Sequence, residues 1–200
     1  MTSTTTTELR IGVLGGTFDP PHLGHLRLAL ACIEQLELDR VLLVPANKNP
    51  LKQRHESSTR HRLRMTQILI DGQEKLATSD IEITRTGPSF AVDTMEELQA
   101  VQPAQYWFIM GSDAALDLSE WKNPHRLAKL CRFAIALRGD VSKELVILSA
   151  PDGLASNYDF VDFNDTTSST KVRDQMARNG HSPLIPAEIE SYARENKLYE

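Results

Sequence analysis

Val41 to Val44, Tyr106 to Met110 and Phe133 to Leu137 are apolar at every position, and runs of that kind leave few folds open. A strand with one wet face alternates apolar and polar side chains. A strand apolar throughout is covered on both faces, as in a parallel sheet. The stretches between these runs carry a different period. Leu26, Ala29, Leu30, Ile33 and Leu36 keep the spacing that places them on one helical face. Arg60 to Ile70, the stretch holding Val92, Met95 and Leu98, and segments from about Thr170 and about Ala187 also read as helices. Leu9, Ile11, Val13 and Leu14 mark an opening strand closed by Gly15-Gly16. Ile81 and Ile83 alternate with polar neighbours like a strand near a sheet edge, and Val146-Ile147-Leu148 reads as another strand. Asn47 to Thr59 is polar and reads as a long loop. Strands alternating with helices predict right-handed βαβ units, hence an α/β fold with a doubly wound parallel sheet and helices on both faces. Ligands of such sheets bind beyond the carboxyl ends of the strands.

A chain of 200 residues fits one domain, expected over 9–200 behind a flexible tail over 1–8. The start is polar and Thr-rich, without the apolar core of a secretory signal. No apolar run approaches the roughly 18 residues of a membrane span. These features predict a cytoplasmic protein with no membrane partner. A net charge of -5 argues against nucleic acid as a partner, which would favour a basic surface. Cys32 and Cys131 sit in apolar surroundings and read as reduced core thiols.

The chemistry concentrates after the first strand, in Gly15-Gly16-Thr17-Phe18-Asp19-Pro20-Pro21-His22-Leu23-Gly24-His25. Glycines at a strand end let the backbone approach a phosphate, and the following helix start offers unpaired N–H groups. The glycine spacing fits neither the dinucleotide fingerprint nor the P-loop. His22 and His25, three residues apart, face one way at the start of a helix. They can counter charge on a phosphate oxygen. Near the end of the chain, Ser168-Ser169-Thr170-Lys171-Val172-Arg173 opens an amphipathic helix, a second place for hydroxyls, N–H groups and a guanidinium to meet an anion.

Gly15 to His25 resembles the GGTFDPxHxGH motif of the nucleotidyltransferase superfamily, and in particular of bacterial nicotinate-nucleotide adenylyltransferases. Ser168 to Arg173 resembles that family's ISSTxIR motif, with Thr167 and Val172 at its two isoleucine positions. Asn49-Pro50-Leu51-Lys52 loosely resembles its Pro-Pro-His-Lys element. Ser89 to Thr94 resembles its S-Y-T-x-D-T helix start, Phe108 to Asp113 with Trp121 its F-I-x-G-x-D…W stretch, and Leu184 to Tyr199 its closing helix. The likeness spans nearly the whole chain. It implies a Rossmann-like fold and an adenylyltransferase that joins AMP from ATP to a pyridine mononucleotide, with nicotinic acid mononucleotide the favoured acceptor.

The resemblance implies roles residue by residue. Catalysis falls to His22, His25, Lys52 and Arg173. ATP falls to Gly15, Gly16, Thr17, Phe18, His22, His25, Gly111, Asp113, Ser168, Ser169, Thr170 and Arg173. The pyridine mononucleotide falls to Gly16, Thr17, Lys52, Ala91, Thr94, Trp121 and Lys122. Magnesium is expected on the ATP phosphates, with no protein site assigned to it. A homo-oligomer is compatible with the chain. Two departures stand out. Ala91 replaces a threonine that in the family helps hold the nicotinate carboxylate, and this leaves nicotinate or nicotinamide preference open. Arg138-Gly139-Asp140 lacks the family's Arg-Pro-Gly proline. Three rival readings are another phosphorylated acceptor such as pantetheine phosphate, an inactive nucleotide sensor, and an RNA-acting protein with a related His-x-Gly-His loop. The length and charge of the chain disfavour the last.

Overall fold

The computed structural model describes residues 8–48, 57–139 and 141–199. Apart from Glu8, the expected tail lies outside the described residues. Six strands, β1 (Arg10–Gly16), β2 (Arg40–Pro45), β3 (Leu76–Thr78), β4 (Gln105–Gly111), β5 (Arg132–Ala136) and β6 (Tyr158–Val161), form one sheet among the described residues. Its order is β3-β2-β1-β4-β5-β6, and every pairing is parallel. That is the order of a Rossmann-like doubly wound sheet, as expected. The helices are α1 (Leu23–Gln35), α2 (Thr59–Leu69), α3 (Ile81–Thr84), α4 (Ala91–Val101), α5 (Ser112–Leu116), α6 (Pro124–Leu127), α7 (Lys143–Leu148), α8 (Ser169–Asn179) and α9 (Ala187–Glu195).

The central strands show why continuous apolar runs belong here. Tyr106, Phe108 and Met110 of β4 and Phe133 and Ile135 of β5 point into one core layer, with Val92 and Met95 of α4. Trp107, Ile109, Ala134 and Ala136 point into the other, with Leu28 of α1, Met65 of α2, Val172 of α8 and Ile189 of α9. Each fully buried Leu, Ile or Phe contributes roughly 1.5–3 kcal/mol. Cys32 and Cys131 are free and buried, and burial pushes both thiols up to about 12, which leaves them unreactive.

Two predicted strands are helices instead. Ile81 and Ile83 lie in α3, where the Thr84 hydroxyl bonds back to Asp80 O at 3.2 Å. The edge strand is β3, a few residues earlier. Val146-Ile147-Leu148 lies in α7, started by Ser142, whose Oγ accepts from the Leu145 N–H at 3.2 Å. Only Val146 of that helix is buried. The sixth strand is Tyr158–Val161, whose Asp159 accepts from Arg132 of the adjacent β5 and from Trp107 of β4 beyond it. Among the described residues no helix is long and apolar enough to cross a membrane.

Candidate active site

β1 and β4 are adjacent, and the chain leaves them toward opposite edges of the sheet. The crevice at this switch point is the ligand position of such sheets. Leu14 pairs with Ile109 and Gly111 with Ala136, so the turns after β1, β4 and β5 open at one level. A Cβ on Gly15 would stand 3.2 Å from the Phe108 ring, so a side chain here would require the ring to give way slightly. Beyond Gly16 the chain passes through Phe18 at φ 53, a left-handed conformation rare in an aromatic residue. Two anchors hold it there. The Phe18 ring is buried in the core. The buried Arg62 of α2 donates to Thr17 O at 2.7 Å and to Asn47 O at 3.2 Å.

The turn delivers the histidine pair at the start of α1. The His22 N–H donates to His25 Nδ1 at 3.2 Å, and the two rings stack with centroids 3.7 Å apart. A ring nitrogen that accepts bears no proton, so a neutral His25 carries its hydrogen on Nε2. His25 also meets the Phe18 ring edge-on at 4.8 Å and lines the crevice. His22 is 3% exposed, and its Nδ1 has no hydrogen-bond partner among the described residues. Burial, and next the Arg138 charge, lower its imidazole to about 4. It is therefore neutral at pH 7.

Ser168 caps α8, its Oγ accepting from the Lys171 N–H at 3.3 Å. This helix start lies against the glycine turn. Ser169 Oγ donates to Pro20 O at 2.9 Å, and Arg173 Nη1 donates to Asp19 O at 2.8 Å. Arg173 Nη2 reaches Thr170 Oγ1 at 3.4 Å. Arg27 of α1 donates to Asp165 Oδ2 at 2.6 Å, a second tie between the two segments. The two motifs expected to share an anion are thus in direct contact.

Beside His25 lies a cavity of about 370 Å³, within the size range of small-molecule sites. Gly16, Gly111, Ala91, Trp121 and Lys122 line it, as do Glu82 and Arg138. Trp121 stands edge-on to Phe108 with centroids 5.6 Å apart. Lys122 Nζ is 2.9 Å from each carboxylate oxygen of Asp93 and 4.7 Å above the Phe90 ring.

Other expected residues fall elsewhere. Asp113 is exposed in the first turn of α5 and does not line the cavity. Thr94 is buried behind the wall, its hydroxyl 2.6 Å from Glu82 Oε1 and 2.9 Å from Arg85 Nη2. Lys52 lies outside the described residues, as does Asp140. Arg138 and Glu82 line the cavity although sequence reasoning gave them no role. Arg138 carried a signal, a cation directly after an apolar run at the end of a strand. Glu82 carried none, because it sits in a segment read as an edge strand. Among the described residues no group of three His, Cys, Asp or Glu could hold a metal ion.

A parallel sheet with a glycine turn, a helix start and a cavity at its switch point is an arrangement common to nucleotide-binding proteins, and comparison with known proteins narrows the class. Residues 13–175 match the cytidylyltransferase-like family, to which the chain belongs. The chain is 38% identical to a Synechococcus sp. (strain JA-3-3Ab) protein named "Probable nicotinate-nucleotide adenylyltransferase", over 96% of this chain and 95% of the relative. It is 32% identical to a Gemmatimonas aurantiaca protein of the same name, over 96% and 92%. Within the wider family it thus belongs with the nicotinate-nucleotide adenylyltransferases. The fold matches the Plasmodium falciparum nicotinic acid mononucleotide adenylyltransferase complexed with NaAD, at TM-score 0.77 and 21% identity, over 96% of this chain and 97% of that one.

Proposed function

We infer that this protein transfers AMP from ATP to nicotinic acid mononucleotide, releasing pyrophosphate and forming nicotinic acid adenine dinucleotide. One observation carries the reading: the His22–His25 pair and the Ser169–Arg173 helix start meet at one turn, next to an aromatic-walled cavity.

The acceptor phosphate is already an anion, so no side chain has to act as nucleophile. Its oxygen attacks the α-phosphorus of ATP, and the bond to the β-phosphate's bridging oxygen breaks in line. Positioning and charge stabilisation then supply the catalysis. The Nε2–H of His25 donates to a phosphate oxygen. Arg173, with two N–H groups turned to Asp19 O and Thr170, presents the rest of its five-donor fork to the triphosphate. Ser169 and the N–H groups of the first turn of α8 add dipoles of the same sign. Lys52 belongs to this set by its place in the motif. Trp121 offers a face for the pyridine ring, and Lys122 a cation near the nicotinate carboxylate.

Magnesium fits as an ion carried by the phosphates, since Asp19, the carboxylate of the turn, already accepts from Ser57 and Tyr199. Bound there, it would offset phosphate charge.

Pyrophosphate release with ATP, magnesium and a panel of acceptor phosphates tests the reading. Turnover confined to pantetheine phosphate, or none with any acceptor, would refute it.

A further inference from the structure

Asp19 lies in the turn between the two anion-binding segments, yet its carboxylate has no part in the chemistry above. It is 4% exposed. Its Oδ1 accepts from the Tyr199 phenol at 2.6 Å and from the Ser57 hydroxyl. Its Oδ2 accepts from the Ser57 N–H at 3.3 Å, and the Tyr199 and Ser57 oxygens are 3.0 Å apart. The carbonyl of the same residue accepts from Arg173. One buried residue therefore joins the glycine turn, the approach to α2 and the region beyond α9, and it also orients the guanidinium. Hydrogen bonds to a carboxylate are about twice as strong as neutral ones. Tyr199 reaches this position with φ 63, a backbone conformation unfavourable for a bulky residue. Burial, with Asp19 next, pushes its phenol up, so it remains a donor at any physiological pH.

We propose that Tyr199 is a positioning residue for nucleotide binding: by gripping the Asp19 carboxylate it fixes the Asp19 carbonyl that aims Arg173. The proposal rests on Arg173 facing the triphosphate. A phenol that merely anchored the end of the chain would support thermal stability and leave nucleotide affinity alone.

A double-mutant cycle separates the two roles. The wild-type protein, Y199F, R173A and the double variant are titrated calorimetrically with α,β-methylene ATP, and Michaelis constants for ATP and acceptor are measured alongside. We expect Y199F to weaken the analogue roughly three- to tenfold and to raise the KM for ATP by the same factor. The acceptor KM should stay within about twofold, and Y199F should add no further loss in the R173A background. Unchanged affinity in Y199F, an equal loss in the R173A background, or wild-type affinity in R173A would each overturn the proposal. Ser57→Ala removes another Asp19 donor and gives the same Arg173-dependent loss should Y199F fail to fold. Binding is read without acceptor, so failure to form the dinucleotide would sink the acceptor assignment alone.

Discussion

Thr167 packs against the bare Cα of Gly24. A Cβ built on Gly24 would stand 3.0 Å from the Thr167 Cβ and 3.0 Å from His22 Nδ1. The glycine between the two histidines is therefore one of the contacts through which α1 and the α8 motif come together. Replacing it with alanine sets two effects against each other. Helix propensity favours alanine by up to about 1 kcal/mol. Overpacking costs about 1–3 kcal/mol, and Thr167 Cβ is fixed to the backbone and cannot swing aside. Gly24→Ala should lower stability in denaturant melts and displace the His22 ring, with a fall in kcat. A melt and a turnover rate equal to wild type would show that the contact is slack.

His25 lines the cavity from the first turn of α1. Removing one preorganised donor typically costs about 10²–10³ in rate. His25→Ala should lose that much kcat in a pyrophosphate-release assay while its circular dichroism stays native. Near wild-type turnover would remove His25 from the mechanism.

His22 links the site to pH. Its folded pKa is about 4 against an ordinary 6.5, so between those values the unfolded chain binds the extra proton. The stabilisation from a neutral His22 is complete above about pH 6.5 and is lost as pH falls toward 4, by up to about 1.4 kcal/mol per pH unit. Unfolding midpoints across that range should fall with pH in the wild type and fall less steeply in His22→Gln. Identical slopes would mean that other groups set the dependence.

Lys122 is a cation on the cavity wall beside Ala91. Its pairing with Asp93 is partly exposed and contributes little to stability, about 0–1 kcal/mol, so the ammonium can turn to a ligand at small cost. Lys122→Met should lower kcat/KM for nicotinic acid mononucleotide by roughly three- to tenfold and leave nicotinamide mononucleotide nearly unaffected. Equal losses on both acceptors would place Lys122 in general packing.

Much of this was legible along the chain because it depends on near neighbours. Buried-strand runs, the helical face from Leu26 to Leu36, the His22–His25 spacing and the Ser168 cap are set by steric and hydrogen-bonding rules acting over a few residues. Short mixed segments were not legible. Val146–Leu148 and Tyr158–Val161 are similar in length, and local composition favours the first as a strand. The outcome turned on Ser142 capping a helix and on Arg132 and Trp107 satisfying Asp159 across the sheet.

The linear order of residues thus determined the central strands, the longer helices, the parallel sheet and the two segments around His22 and Ser168. Only tertiary structure decided that Arg138 and Glu82 line the cavity, that Thr94 stands behind it and that Asp19, Ser57 and Tyr199 join. The reason is physical. Helix and strand periods are enforced by the backbone within a few residues, whereas a contact such as Tyr199 to Asp19, 180 positions apart, exists only once folding has brought the turn after β1 and the segment after α9 together.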